Sequence, residues 1–304
     1  MNEKNYVAET LKPEDFDEWV NHCGAIFEVG AAYFRRHFVA DPHKNYDSVF
    51  IIKDDGQIIS TVRVFHRQVY IGKKIYKMGG IGEVSTNPDY RKLGLSSKLL
   101  DVSVDYMKKN KFCVSLLGTG YFSHYSKHGF VQVNEYTKSV SGEIKYNGNG
   151  KYDIRPLNPG NFQEMSVLYE QYSKGLNFST VRDKDYWKSW CAGEIKNPRG
   201  MFRNGRIAGY ICFEENNVKE IIGADEDHDI LLSAVVSHDN TINVPSFVCT
   251  KREVFATESH NGTMINLLDP KAMEIDGTAY SSTEELVEYF NNNGGIVHWS
   301  QDQF

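Results

Sequence analysis

Between Gly80 and Leu100 the chain reads GIGEVSTNPDYRKLGLSSKLL. A strand pattern ends at Asn87-Pro88, a turn follows over Arg91-Lys92-Leu93-Gly94-Leu95-Ser96, and a helix pattern starts at once. Such a turn aims several backbone N–H groups at one spot, at the positive end of a helix dipole, and so forms a cradle for a pyrophosphate. Gly94 lets the backbone approach a phosphate closely. Arg91 and Lys92 add positive charge, and Ser96 and Ser97 can donate hydroxyl hydrogen bonds. Other phosphate motifs fail here. Lys98 lacks the glycine spacing of a P-loop, and Gly80-Ile81-Gly82 meets Ser85 where a dinucleotide fingerprint needs its third glycine. Taken alone, the turn also reads as an ordinary strand–turn–helix with a surface Arg–Lys pair.

The elements around this turn alternate between strand and helix. Strands are predicted over 5–11, Ser48–Lys53, Gln57–Arg67 and Lys77–Thr86, with turns at Asp54-Asp55-Gly56 and Gly72-Lys73-Lys74. Helices are predicted after Pro13, around 31–38 and from about Gly94 to Lys109. The last carries Leu95, Leu99, Leu100, Val102, Val104 and Met107 on a broad apolar face, suited to packing on a sheet. Strand Cys113–Leu117, a short helix over 121–128 and strand Phe130–Tyr136 follow. Tyr146–Lys151 (YNGNGK) reads as a linker. The pattern then restarts: strand Tyr152–Leu157, helix Asn161–Lys174, a hairpin across Asn204-Gly205, strand Val218–Gly223 and a helix over about His228–Val236. The end holds a strand at Met264–Leu268, a helix at Thr283–Asn291 and a strand-like Gly295–Trp299. These predict an α/β chain with a mixed (α+β) sheet: one domain over 1–146, a weaker second copy over 150–260, and a short C-terminal strand–helix–strand segment over 261–304.

The bulk properties narrow the function. The chain has 304 residues, 40 % apolar and 24 % charged, which is ordinary globular composition. Its net charge of −6 offers no general basic footprint for nucleic acid. Cys23, Cys113, Cys191, Cys212 and Cys249 are odd in number and lack any C-x-x-C spacing, which argues for a reducing compartment and against a zinc site. The start has no secretory apolar region, and no apolar run approaches the roughly 18 residues of a membrane span. The expectation is a cytoplasmic protein with no nucleic-acid, membrane or metal partner.

The run V-S-T-N-P-D-Y-R-K-L-G-L-S-S-K-L-L resembles the acetyl-CoA motif of the GNAT N-acetyltransferase superfamily, R/Q-x-x-G-x-G/A before a helix, with Ser96 at the final small position. Further along, Tyr125-Ser-Lys-His-Gly129-Phe130 resembles the second signature, Y-x-x-x-G-F. The whole chain is similar to the Eis-like acetyltransferases, which have a GNAT domain, a degenerate second copy and a sterol-carrier-like third domain. Tyr186-Trp187, Gly205–Tyr210 and Val218–Ile222 match the middle domain, and Thr263–Asp269 the opening of the third, here far shorter. The resemblance implies a tandem GNAT acyl-CoA N-acyltransferase fold. It implies acetyl transfer from acetyl-CoA, as co-substrate, directly to a primary amine, whether a small molecule or a lysine side chain, and leaves room for a homo-oligomer. In this family the backbone at Val84, Ser85 and Thr86 would hold the pantetheine arm, and the loop Arg91, Lys92, Leu93, Gly94, Leu95, Ser96 and Ser97 would hold the pyrophosphate. Tyr125 would be the general acid: a phenol of pKa about 10 can protonate the thiolate of a thiol of pKa about 8.5. Tyr125 also reads as a core aromatic beside Tyr121 and Phe122. Eis-like chains end in a similar D-x-F, and the terminal carboxylate, here on Phe304, would serve as base; Phe304 also reads as a plug for a core gap. Glu83, on the cofactor strand, could act as a base through water but reads rather as structural, and His124 and His128 read as packing or surface residues.

Overall fold

The computed structural model describes residues 4–142, 152–235, 241–299 and 302. The first strands are Ala8–Thr10 (β1), Val49–Asp54 (β2), Gln57–Ile71 (β3) and Lys74–Thr86 (β4), and long buried runs in β2, β3 and β4 show a sheet covered on both faces. Gly56 and Gly72, both at positive φ, turn the chain between them. Helices Phe16–Ile26 (α1) and Ala31–Ala40 (α2) pack on one face of this meander. There Trp19, Val20, Cys23, Phe34 and Phe38 form a core with Val49, Ile51 and Ile58. Leu95–Lys109 (α3) covers another part of the sheet and buries Leu95, Leu99, Leu100, Val104 and Met107 against Val62, Val64 and Ile81. Val114–Gly118 (β5), the short helix Phe122–Tyr125 (α4) and Val131–Ser141 (β6) complete the first half.

The second half holds Asp153–Pro156 (β7), helix Phe162–Ser173 (α5), and a helical stretch over 184–194. That stretch, Lys184–Tyr186 (α6) to Ala192–Glu194 (α7), contains a π turn at Trp187–Cys191 and has no counterpart in the sequence reading. Strands Arg199–Arg203 (β8), Arg206–Glu214 (β9) and Asn217–Ile222 (β10) follow, then helix His228–Leu232 (α8) and strand Ile242–Pro245 (β11). The linker read at 146–151 lies outside the described residues.

The last segment changes the layout. The strand read at Met264–Leu268 is the end of a longer strand, Glu253–Leu267 (β12), which enters the first half's sheet between β5 and β6. Ile265 lies opposite Leu116 on one side and Val131 on the other. Rather than standing apart, this segment supplies a central strand. Helix Thr283–Asn292 (α9) then packs Leu286, Val287 and Phe290 on the same strands. Gly295–Trp299 is not a strand; it is pinned irregularly, with Ile296 N–H donating to Asn134 and Val297 N–H to Asn177. Strands β1 to β12 share one mixed sheet in the order β1-β2-β3-β4-β5-β12-β6-β11-β10-β9-β8-β7, and Glu274–Ile275 pairs with Thr278–Ala279 in a separate small hairpin. The mixed α/β sheet is as the sequence predicts. Among the described residues no helix is long and apolar enough to cross a membrane.

Candidate functional site

β4 and β5 run parallel but pair only from Met78–Val114 to Gly80–Leu116. Beyond Gly80 the two strands part, and β4 continues to Thr86 paired with β3 alone. The register between β3 and β4 slips at this point: Thr61 faces Ser85, yet Arg63 faces Gly82. Glu83 absorbs the extra residue with φ of 54°, a left-handed value uncommon for a side-chain-bearing residue. The bulge turns the edge of β4 outward, so its backbone groups past Gly80 are open to an extended ligand.

The turn between β4 and α3 supplies the second part. Lys92 and Gly94 have φ of 68° and 74°. Gly94 occupies the N-cap of α3, and a side chain there would project into open space. No side chain caps this end, and the first intrahelical bond is Lys98 N–H to Gly94. The N–H groups of Leu95, Ser96 and Ser97 precede that bond, so they have no helical acceptor and keep the site attractive to an anion.

These parts meet in a cleft of about 600 Å³ lined by Val84, Ser85, Thr86, Arg91, Lys92, Ser96 and Tyr125, all expected from the sequence. Of the other expected residues, Leu93 points outward at 55 % exposure and Leu95 is buried in the α3 core, so these offer backbone only. Ser97 does not line the cleft. Phe304 lies outside the described residues. Asp302, two positions earlier, is fully buried: Arg182 grips both its carboxylate oxygens, and the Tyr186 hydroxyl donates to it at 3.1 Å.

Tyr125 closes the cleft. Its ring meets Phe130 and His124 edge-on, and its hydroxyl has the Thr119 side chain as a hydrogen-bond partner. Burial pushes the phenol above its ordinary pKa, and Thr119 opposes this only in part. The group is therefore a protonated donor throughout the neutral range. Core packing and a place at the cleft coexist in one residue.

Three features were not read from the sequence. His124 also lines the cleft, and its Nε2 lies 3.3 Å from Ser96 Oγ. Burial, with His128 and Lys127 nearby, lowers its pKa, which keeps the ring neutral. His22 on α1 sits 3.0 Å from Ser85 Oγ, across 63 positions of sequence. Behind the bulge, Arg63 bonds both Glu83 and Asp41, and Arg67 bonds Asp41. Burial raises Asp41, but Arg67 and Arg63 outweigh it and hold that carboxyl below its ordinary value. At Glu83 burial wins over Arg63 and pushes the carboxyl up; its Oε2 has no hydrogen-bond partner among the described residues. No sequence period marks these pairs, because each joins different strands and helices.

The corresponding place in the second half is built differently. After β10, Asp225, Glu226 and Asp227 precede α8. Asp227 pairs with Arg203, and Asp229 accepts from Thr250 and Lys251. These carboxylates occupy the helix start that a phosphate would need. Asp225, His228 and Cys249 also gather potential metal ligands within 4.8 Å. His228 Nδ1 already accepts the Cys249 N–H at 3.0 Å, which commits that lone pair. Among the described residues, a larger hollow of about 800 Å³ beside Trp187 is lined by none of those read as functional.

A splayed strand pair, an uncapped helix start and a buried phenol meet in this one cleft. Residues 8–133 match the family model described as acetyltransferase (GNAT) domain. The fold extends the likeness over most of the chain. A GCN5-related N-acetyltransferase from Anabaena variabilis ATCC 29413 superposes with a TM-score of 0.70 at 12 % identity, covering 87 % of this chain and 73 % of that one. A conserved protein of unknown function from Enterococcus faecalis V583 gives 0.69 at 14 % identity, with coverage of 87 % and 73 %. Eis1 from Mycobacterium abscessus gives 0.63 at 12 % identity, with coverage of 86 % and 74 %. At these identities the likeness is one of fold. No curated protein matches the sequence significantly.

Proposed function

We propose that this protein transfers the acetyl group of acetyl-CoA directly to a primary amine, on a small molecule or a lysine side chain. The observation that carries the reading is the meeting, in one cleft, of the open β4 edge, the uncapped N-terminus of α3 and the Tyr125 hydroxyl. The residues fit such a co-substrate. The N–H groups at 95–97, with Arg91 and Lys92, suit a pyrophosphate, and the Val84–Thr86 backbone suits an amide-bearing arm. Acetyl-CoA supplies an activated thioester. A backbone N–H of the β4 edge would polarise its carbonyl, and Tyr125 would hold the proton that the departing thiolate takes. No nucleophilic cysteine is required, and burial raises Cys23, Cys113 and Cys191 away from the thiolate form. The free thiols also agree with a reducing, cytoplasmic setting.

The test is acetyl-CoA binding by calorimetry together with thiol release over a panel of polyamines, aminoglycosides and lysine peptides. Binding of one acetyl-CoA and acetylation of at least one amine is the expected result. No binding would refute the site; binding without transfer to any amine would make the fold an acyl-CoA-binding module.

A further inference from the structure

α1 places an imidazole behind Ser85, a residue of the cleft wall. His22 is mostly buried and opens on a second, shallower hollow of about 580 Å³ between α1 and the β2–β3 turn. Its Nε2 lies 3.0 Å from Ser85 Oγ, and Ser85 itself lines the coenzyme cleft on the opposite side. A backbone hydrogen bond to Ile58 favours the protonated form of the ring. Accepting a proton from the serine hydroxyl requires the neutral ring to carry its own proton on Nδ1, with the Nε2 lone pair toward Ser85. The Ser85 hydroxyl therefore bridges two spaces, the cleft where the amine must meet the thioester and the solvent-facing hollow behind His22.

We propose that Ser85 and His22 form the proton exit for the attacking amine, with His22 Nε2 as the acceptor and Ser85 Oγ as the relay. The inference rests on the acyl-transfer reading of the same cleft. An ammonium substrate gives one proton to Ser85 Oγ as the Oγ proton passes to His22 Nε2, and His22 then releases it to the hollow. The free amine adds to the thioester carbonyl, forming the C–N bond and a tetrahedral intermediate that loses its second N–H proton by the same route. Collapse of that intermediate breaks the C–S bond, the thiolate takes its proton from Tyr125, and the phenolate regains a proton from solvent, so the net release is one proton per turnover. Amine nitrogen and sulfur thus use separate groups. Burial lowers the His22 pKa, so the ring is neutral and able to accept at pH 7. The charged side chains facing it across the hollow are Glu18 of α1 and Asp55 of the β2–β3 turn. Behind Ser85 stand Cys23, Glu83 and Arg63. Glu83 and the terminal carboxylate expected on Phe304 are the competing acceptors.

Two measurements on the full chain test this. Nitrogen-15 NMR of the His22 ring, with and without bound CoA, reads its tautomer without any turnover; the relay requires Nδ1–H and an unprotonated Nε2 at pH 7. Steady-state rates from pH 5 to 9 for His22→Gln, Ser85→Ala and Glu83→Gln read the route. His22→Gln and Ser85→Ala should each lower kcat by roughly 10²-fold or more, leave CoA affinity within a few-fold, and abolish the acidic limb. Glu83→Gln should retain that limb. An Nε2–H tautomer overturns the relay even if no acceptor is ever found. An acidic limb that survives His22→Gln also overturns it, whether or not Glu83→Gln removes that limb. Absence of transfer by the parent, with the expected tautomer, would instead refute the acetyltransferase reading.

Discussion

Replacing Tyr125 by Phe removes one hydroxyl and keeps the ring. The packing against Phe130 and His124 is retained, so no core cavity is created. The stability cost is the lost bond to Thr119, about 0.5–1.5 kcal/mol net. For a chain of this size that lowers Tm by only a few degrees, at roughly 2–4 °C per kcal/mol. The catalytic cost is of another order. A positioned general acid contributes about 10²–10⁴-fold, which is roughly 3–5 kcal/mol of barrier. The expected outcome is therefore a fall of kcat by about 10²–10⁴ with near-parental CoA affinity and melting temperature. Thiol release, calorimetry and thermal melts on one preparation separate the terms. The pH sense follows from the raised phenol: in the parent the acid stays protonated through neutrality, and its descending limb lies above the ordinary tyrosine range. Unchanged kcat, with the chemical step shown to limit turnover, would refute the assignment and leave Tyr125 a core aromatic.

The remaining expectations concern binding and stability. Gly94→Trp imposes a side chain on a residue with φ of 74° and projects it into the space before α3; acetyl-CoA affinity by calorimetry should fall at least tenfold, and parental affinity would misplace the pyrophosphate. Only one acetyl-CoA should bind per chain, because carboxylates occupy the equivalent helix start in the second half; a measured stoichiometry of two would contradict this. Asp41→Asn removes the carboxylate shared by two buried guanidiniums, leaving Arg63 with Glu83 alone and Arg67 without its ion-pair partner, and should cost about 3–5 kcal/mol in urea melts. Asp41 has a depressed folded pKa, so its stabilisation is fully present above the ordinary carboxylate pKa and is lost as pH falls through the lower, folded value. The parent should lose stability in that acid window, and the Asn variant should lose correspondingly less.

Much of the site was readable in the sequence because it is local. A strand, a turn with a glycine at positive φ and an amphipathic helix lie within Gly80–Lys109, and their geometry depends on near neighbours. The same holds for Tyr125-Ser-Lys-His-Gly129-Phe130, where Gly129, at φ of 85°, ends a short helix and sets the next strand. What escaped the sequence was partner choice. The pattern of Met264–Leu267 marks a buried strand, but period alone says which residues face inward and not which strands flank them. Only the folded sheet places it between β5 and β6, across well over a hundred positions of chain. Glu83 shows the same limit: its left-handed bulge comes from a register slip against β3, set by pairing with Thr61 and Arg63 rather than by its own type. His22 and Ser85, or Asp41 with Arg63 and Arg67, are polar residues with no spacing rule to join them. Tertiary packing brought them together, because a buried charge or imidazole is tolerated only where another element supplies its partner.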